Sequence, residues 1–226
     1  MIFRGLGFCA FALVTACASG AEKPDERGLV RGGQSGLNQP SLLLSKAREV
    51  QAEQGCAAAL PAYRVISSFG KGYHVAQYEL GACLLTIDSA TQAEAALLRM
   101  ESDFWLHRAA WAGNARAQRK LAEILSGAAG YGDADFHTAP QEAAMWALVY
   151  AENSARDLYN LPELPSPVTR HLEATLTPQE RQWAEQAANN FQTIDMAIFT
   201  PPRQQRPARS GGDRGQRPRE GRRRPR

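Results

Sequence analysis

A chain of 226 residues with 44% hydrophobic residues can bury one ordinary core, and no stretch of it reaches the roughly 20 apolar residues that a membrane-spanning helix needs. Its formal charge of +3 conceals an asymmetry: residues 18–200 hold 15 basic and 21 acidic residues, whereas residues 201–226 hold ten arginines against Asp213 and Glu220. The basic character therefore belongs to one end, whose Arg, Pro, Gly and Gln composition excludes a packed core there.

The first residues, MIFRGLGFCAFALVTAC, place Arg4 before an apolar run from Leu6 to Ala16 and then a cysteine preceded by small residues. The run is too short to span a bilayer and reads as the hydrophobic region of a secretory signal over residues 1–16. Val14-Thr15-Ala16-Cys17 resembles the lipobox of bacterial lipoproteins. That resemblance implies cleavage before Cys17, a diacylglycerol on its sulfur, and a lipid-anchored place in the envelope, at the outer membrane facing the periplasm. An ordinary signal cut at Ala16 or Ala18, with an incidental cysteine, is the alternative. Residues 17–40 then form a lipidated cysteine and a flexible tether, with five glycines and two prolines between Ala18 and Pro40 and no apolar periodicity.

Of four cysteines, Cys9 leaves with the signal and Cys17 carries lipid, so Cys56 and Cys83 remain as an exported pair. If residues Cys56 to Phe69 and Tyr73 to Leu85 are antiparallel helices turning at Gly70-Lys71-Gly72, the two cysteines face each other and a disulfide is expected. Two buried free thiols are the alternative. A zinc site is not expected, because no matching His pair supplies the usual ligand spacing.

Between residues 41 and 199 the apolar pattern is helical almost throughout and strand alternation is absent, so an all-α domain is predicted. Ser89-Ala90-Thr91-Gln92 and Thr138-Ala139-Pro140-Gln141 each place a hydroxyl residue three positions before glutamine, a capping-box spacing, and Pro140 suits a first helical turn. Asn114 can cap a helix running to Leu125, which Ser126-Gly127 ends. Thr177-Pro178-Gln179-Glu180 opens a last helix carrying Trp183, Ala184, Ala187, Ala188 and Phe191.

The domain also repeats itself. Gly72, Ala76, Leu80 and Gly81 match Gly113, Ala117, Leu121 and Ala122 at an offset of 41 residues, and Trp105 and Ala110 match Trp146 and Ala151 at the same offset. Tandem helical hairpins follow, with small residues where helices approach and large ones filling the gaps beside them. A non-repetitive, alanine-rich bundle is the alternative.

The stretch WLHRAAWAGNARAQRKLAEILSGAAGYGDADFHTAPQEAAMWALVYAEN resembles Sel1-like repeats, relatives of the tetratricopeptide repeats. ISSFGKGYHVAQYELGACLL is a looser earlier copy, and LTPQERQWAEQAANNF is similar to the helix that closes such arrays. The resemblance implies a right-handed α-solenoid of two or three hairpins with a closing helix, a concave surface, and protein binding, with exported members serving as envelope scaffolds or regulators. Pro162, Pro165 and Pro167 interrupt the third unit, whose second helix is either shifted to about Val168 to Leu176 or degenerate. Helical position marks Arg64, Arg99, His107 and Arg108 as partner-binding candidates on the first helices of the units.

Catalytic and metal motifs are not evident. His74, His107, His137 and His171 share no H-x3-H or H-E-x2-H spacing, and no nucleophile elbow or P-loop occurs. Asp133, Asp135 and His137 alternate in one loop but lack the distal bidentate glutamate of a calcium site. No catalytic residue, cofactor or metal is therefore expected. The arginine tail, 200–226, read as disordered and ending on Arg222, Arg223 and Arg224, suits polyanions; without aromatic residues to stack bases, and with export placing chromosomal DNA out of reach, nucleic acid is not the expected ligand. A solvated tail without a partner, or one folded back on the acidic body, is the alternative.

The sequence thus reads as a non-enzymatic scaffold or regulator that docks another envelope protein. A polyanion-binding module working through its tail, and a cell-wall hydrolase using Asp135 or His137, are the rival readings.

Overall fold

The computed structural model describes residues 40–132 and 136–199. The signal, Cys17, the tether before Pro40, Asp133, Asp135 and the tail with Arg222, Arg223 and Arg224 lie outside these residues. Within them the fold is all-helical, in the order α1 (Pro40–Gln54), α2 (Cys56–Ser67), α3 (His74–Leu84), α4 (Gln92–Trp111), α5 (Ala115–Leu125), α6 (Pro140–Ala151), α7 (Ser154–Leu158), α8 (Ser166–Thr175) and α9 (Pro178–Asn189). Each helix from α1 to α5 packs on the next, and α6 also receives α8 and α9.

Local chemistry sets the helix ends. Thr91 caps α4, its Oγ1 accepting from Glu94 N at 3.1 Å, while Glu94 Oε2 accepts from Ala90 N at 3.1 Å. The start thus falls two residues after the Ser89 expectation, because Thr91 and Glu94 have the same spacing and offer a carboxylate, the stronger acceptor. Ala139, not Thr138, is the N-cap of α6; its N–H donates to Leu125 O at 2.8 Å, tying the entry of α6 to the end of α5. Pro140 occupies the first turn of α6. Asn114 Oδ1 accepts from Ala117 N at 3.0 Å, and Gly113 turns the chain before it with φ of +86°, a conformation costly for any residue with a Cβ. Thr177 and Glu180 form a reciprocal capping box at α9. The proline-rich interval after α7 gives way to α8, with Pro167 in its first turn.

The core lies on both sides of α4. Trp105 joins Tyr63, Leu80 and Leu84 on one side, while Leu106 joins Leu121, Leu125, Trp146 and Val168 on the other. Among the recurring residues, Ala76, Leu80 and Gly81 on α3, Trp105 and Ala110 on α4, Ala117 and Leu121 on α5, and Trp146 on α6 are buried. Gly72 and Ala151 are exposed at helix ends, and Gly113 is partly buried. Gly81 lets α3 and α4 approach closely: a Cβ there would stand 2.7 Å from Leu106 Cγ. Cys56 at the start of α2 and Cys83 at the end of α3 are joined by a disulfide, with Cα atoms 5.4 Å apart. Among the described residues, no helix is long and apolar enough to cross a membrane.

Candidate functional site

α2, α4 and α6 build the same contact twice. Trp105 and Trp146 are buried, so each indole N–H needs an acceptor, and the glutamate one turn earlier supplies it: Trp105 Nε1 donates to Glu101 Oε1 at 3.4 Å, and Trp146 Nε1 to Glu142 Oε1 at 3.1 Å. Each carboxylate then takes a cation from an earlier helix. Arg64 on α2 grips Glu101 with two bonds of 2.7 and 2.6 Å, and His107 Nε2 on α4 meets Glu142 Oε1 at 2.8 Å. A second polar series runs behind it. Gln77 Nε2 donates to Ser67 O at 3.0 Å and Gln118 Nε2 to Ala110 O at 3.1 Å, satisfying carbonyls at the ends of α2 and α4.

His107 is the most strongly perturbed group of the face. Burial alone would lower its pKa, but Asp103 and Glu142 outweigh burial and hold it up to about 10. Nδ1 lies 2.9 Å from Asp103 O and 3.0 Å from Asp103 Oδ1; its one N–H serves the carbonyl, leaving the carboxylate as an ionic contact. Hydrogen bonding to His107 in turn pulls Glu142 below its ordinary value. His107 is thus an imidazolium fixed between two carboxylates, a structural cation rather than a proton shuttle near neutral pH.

The four candidate partner-binding residues all hold groups of their own chain. Arg64 and His107 make the contacts above, Arg99 Nη1 donates to Leu84 O at 3.1 Å, and Arg108 donates to Ala197 O. The last contact leads to what the sequence does not reveal. α9 ends at Asn189, short of Phe191, where Asn190 Nδ2 turns back to Gln186 O at 2.8 Å. Residues 191–199 then run back over α6, α4 and α2 as a strap without helix or strand.

The strap is fastened at both ends and in the middle. Phe191 packs its ring against Trp111 and Trp146, at centroid distances of 5.4 and 5.9 Å, and Phe199 against Phe104 and Trp105, at 5.0 and 5.4 Å. Ile194 N–H donates to Trp111 O at 2.9 Å, Phe199 N–H to Ser68 O at 2.8 Å, and Lys71 pairs with Asp195 at 2.7 Å. Beside the strap lies a cleft of about 630 Å³ lined by Glu152, Asn153, Glu185 and Asn189. On another side, Arg116, Arg119 and Lys120 line a hollow of about 360 Å³, where Glu123 pairs with both Arg119 and Lys120.

The remaining histidines make none of these hydrogen bonds, although the charge of His137 also helps to lower Glu142. His137 stacks on Phe136, His171 Nε2 lies 3.4 Å from Thr175 Oγ1, and burial lowers the pKa of His74. Among the described residues, no group of three or more His, Cys, Asp or Glu is placed to hold a metal ion. No family model, curated protein or solved structure matches the chain.

Proposed function

We propose that this chain is a non-enzymatic scaffold or regulator of the bacterial cell envelope, which docks another envelope protein on a repeated helix face. In this reading residues 41–199 form a right-handed, Sel1-like solenoid of two to three hairpins closed by α9. Cys17 carries the lipid that holds it at the outer membrane, facing the periplasm. The observation that carries the reading is the recurrence of Arg64, Glu101 and Trp105 as His107, Glu142 and Trp146. A face built twice from the same contacts is what a tandem array presents to an extended partner. The Cys56–Cys83 disulfide agrees with an oxidising compartment.

The test joins anchoring and docking: intact mass of the membrane-extracted chain with and without Cys17→Ala, and in-cell lysine crosslinking followed by identification of the bound protein. A diacylated Cys17 and one recurrent envelope partner are expected; a soluble, unprocessed chain without a partner refutes the reading. The ten arginines of residues 201–226 favour one second reading, a polyanion-binding module acting through its tail. Deleting residues 201–226 spares partner docking by a scaffold and abolishes the function of such a module.

A further inference from the structure

The strap crosses the face that a scaffold would offer, and it is lightly held. None of residues 191–199 is buried, whereas Trp105 and Trp146 beneath it are 4% and 0% exposed. Two main-chain bonds, one bond from Arg108 to Ala197 O and the aromatic ends hold it, since the Lys71–Asp195 pair is three-quarters exposed on both sides and contributes little. A segment with few buried apolar contacts belongs to the low-stability end of a fold and opens without global unfolding. The groove beneath admits the strap only where side chains are missing: a Cβ on Gly70 would stand 2.5 Å from the main-chain Met196 O, and one on Gly113 2.9 Å from the Thr193 side-chain methyl.

Arg108 reports what the strap fails to supply. Its guanidinium donates to the Ala197 carbonyl, its Nε is buried without an acceptor, and no carboxylate pairs with it among the described residues. Burial pushes its pKa down, a penalty that an ion pair would offset.

Resting on the scaffold reading above, we infer that residues 191–199 are a displaceable occupant of a peptide groove over α2, α4 and α6. In their place the groove takes an extended partner segment with aromatic side chains eight residues apart, as Phe191 and Phe199 are, and an acidic side chain between them opposite Arg108. The strap lowers the partner's apparent affinity by the fraction of time the groove stands open, so loosening the strap tightens binding.

The test uses the full chain and a fluorescent peptide copying residues 190–199, with a second peptide carrying glutamate at the Ala197 position. Phe199→Ala combined with Asp195→Lys loosens the strap. The loosened chain is expected to bind the copy peptide at least tenfold more tightly than the wild type. The glutamate peptide should bind more tightly again, and Arg108→Gln should remove that increment. Equal affinity of both proteins, with unchanged circular dichroism, overturns the inference. If the double variant fails to fold, hydrogen exchange of the wild type decides. Ile194 and Phe199 amides exchanging well ahead of the α4 core support a displaceable strap, and exchange as slow as that core overturns it. Partner crosslinks confined to α3 and α5 would sink the groove and leave the scaffold, whereas no partner on any surface removes both.

Discussion

His107 shows how a single side chain can be read one way from its position and another from its neighbours. As a histidine on a first helix it is marked for partner binding, yet Glu142, the carboxylate that fixes it, is 35 residues away. No local pattern announces that pairing. What was legible is that Trp105 and Trp146 are equivalent, and the E-x3-W spacing at Glu101 and Glu142 was available as a signal for their acceptors. The sign of the pH dependence follows from the shifts. The His107 pKa rises from 6.5 to about 10 on folding, so its stabilisation is complete below pH 6.5 and fades as pH rises through about 10. Glu142 is lowered from 4.5, so its share fades as pH falls below that value. The stability gap between the wild type and His107→Gln, about 1–2 kcal/mol near pH 6 because Asp103 and Glu142, each about a third exposed, lose their shared cation, should therefore close by pH 10 in urea titrations. Truncation of the fully buried Trp146 to alanine should cost about 3–5 kcal/mol, while Trp183→Ala, at a site 44% exposed, should cost far less.

Helices were legible where propensity and packing agree, and their ends where one capping residue has no rival. Asn114 and Thr177 are such cases, and Thr177→Ala should cost about 1 kcal/mol by loss of the hydroxyl that accepts from Glu180 N, while the Thr177 N–H keeps its bond to the Glu180 carboxylate. At α4 two hydroxyl residues compete, and the carboxylate of Glu94 decides for Thr91. Thr91→Ala is accordingly expected to lower stability by about 1 kcal/mol and Ser89→Ala to leave thermal unfolding unchanged. The end of α9 was not legible, because Phe191 continues the apolar period of the helix while Asn189 and Asn190 break it. The strap itself has no periodicity. Its place is set by tertiary contacts to Trp111 and Ser68, 83 and 131 residues earlier than the strap residues that reach them, and sequence pattern carries no trace of such distances.

Across the whole molecule, the disulfide ties α2 to α3 over a sequence separation of 27 residues, and α4 joins the core on that side to the core around Trp146. Reduction, or Cys56→Ser with Cys83→Ser, should lower stability by about 3 kcal/mol, chiefly by freeing the unfolded chain, with the helical content of the native state kept. The hairpin that places the two cysteines was readable from the glycine turn between them. The face they help to hold was not, since the residues marked for a partner are engaged within the chain and one of them, Arg108, is bonded to the strap. The central claim is that this face docks an envelope protein. Its most direct test is a photocrosslinking residue at Phe104, 41% exposed beside Phe199, introduced into the full chain in living cells. A discrete adduct with one envelope protein, lost when an unlabelled partner segment competes, is the predicted result. No protein adduct from Phe104, together with loss of function on deleting residues 201–226, would contradict the account and leave the tail as the working part.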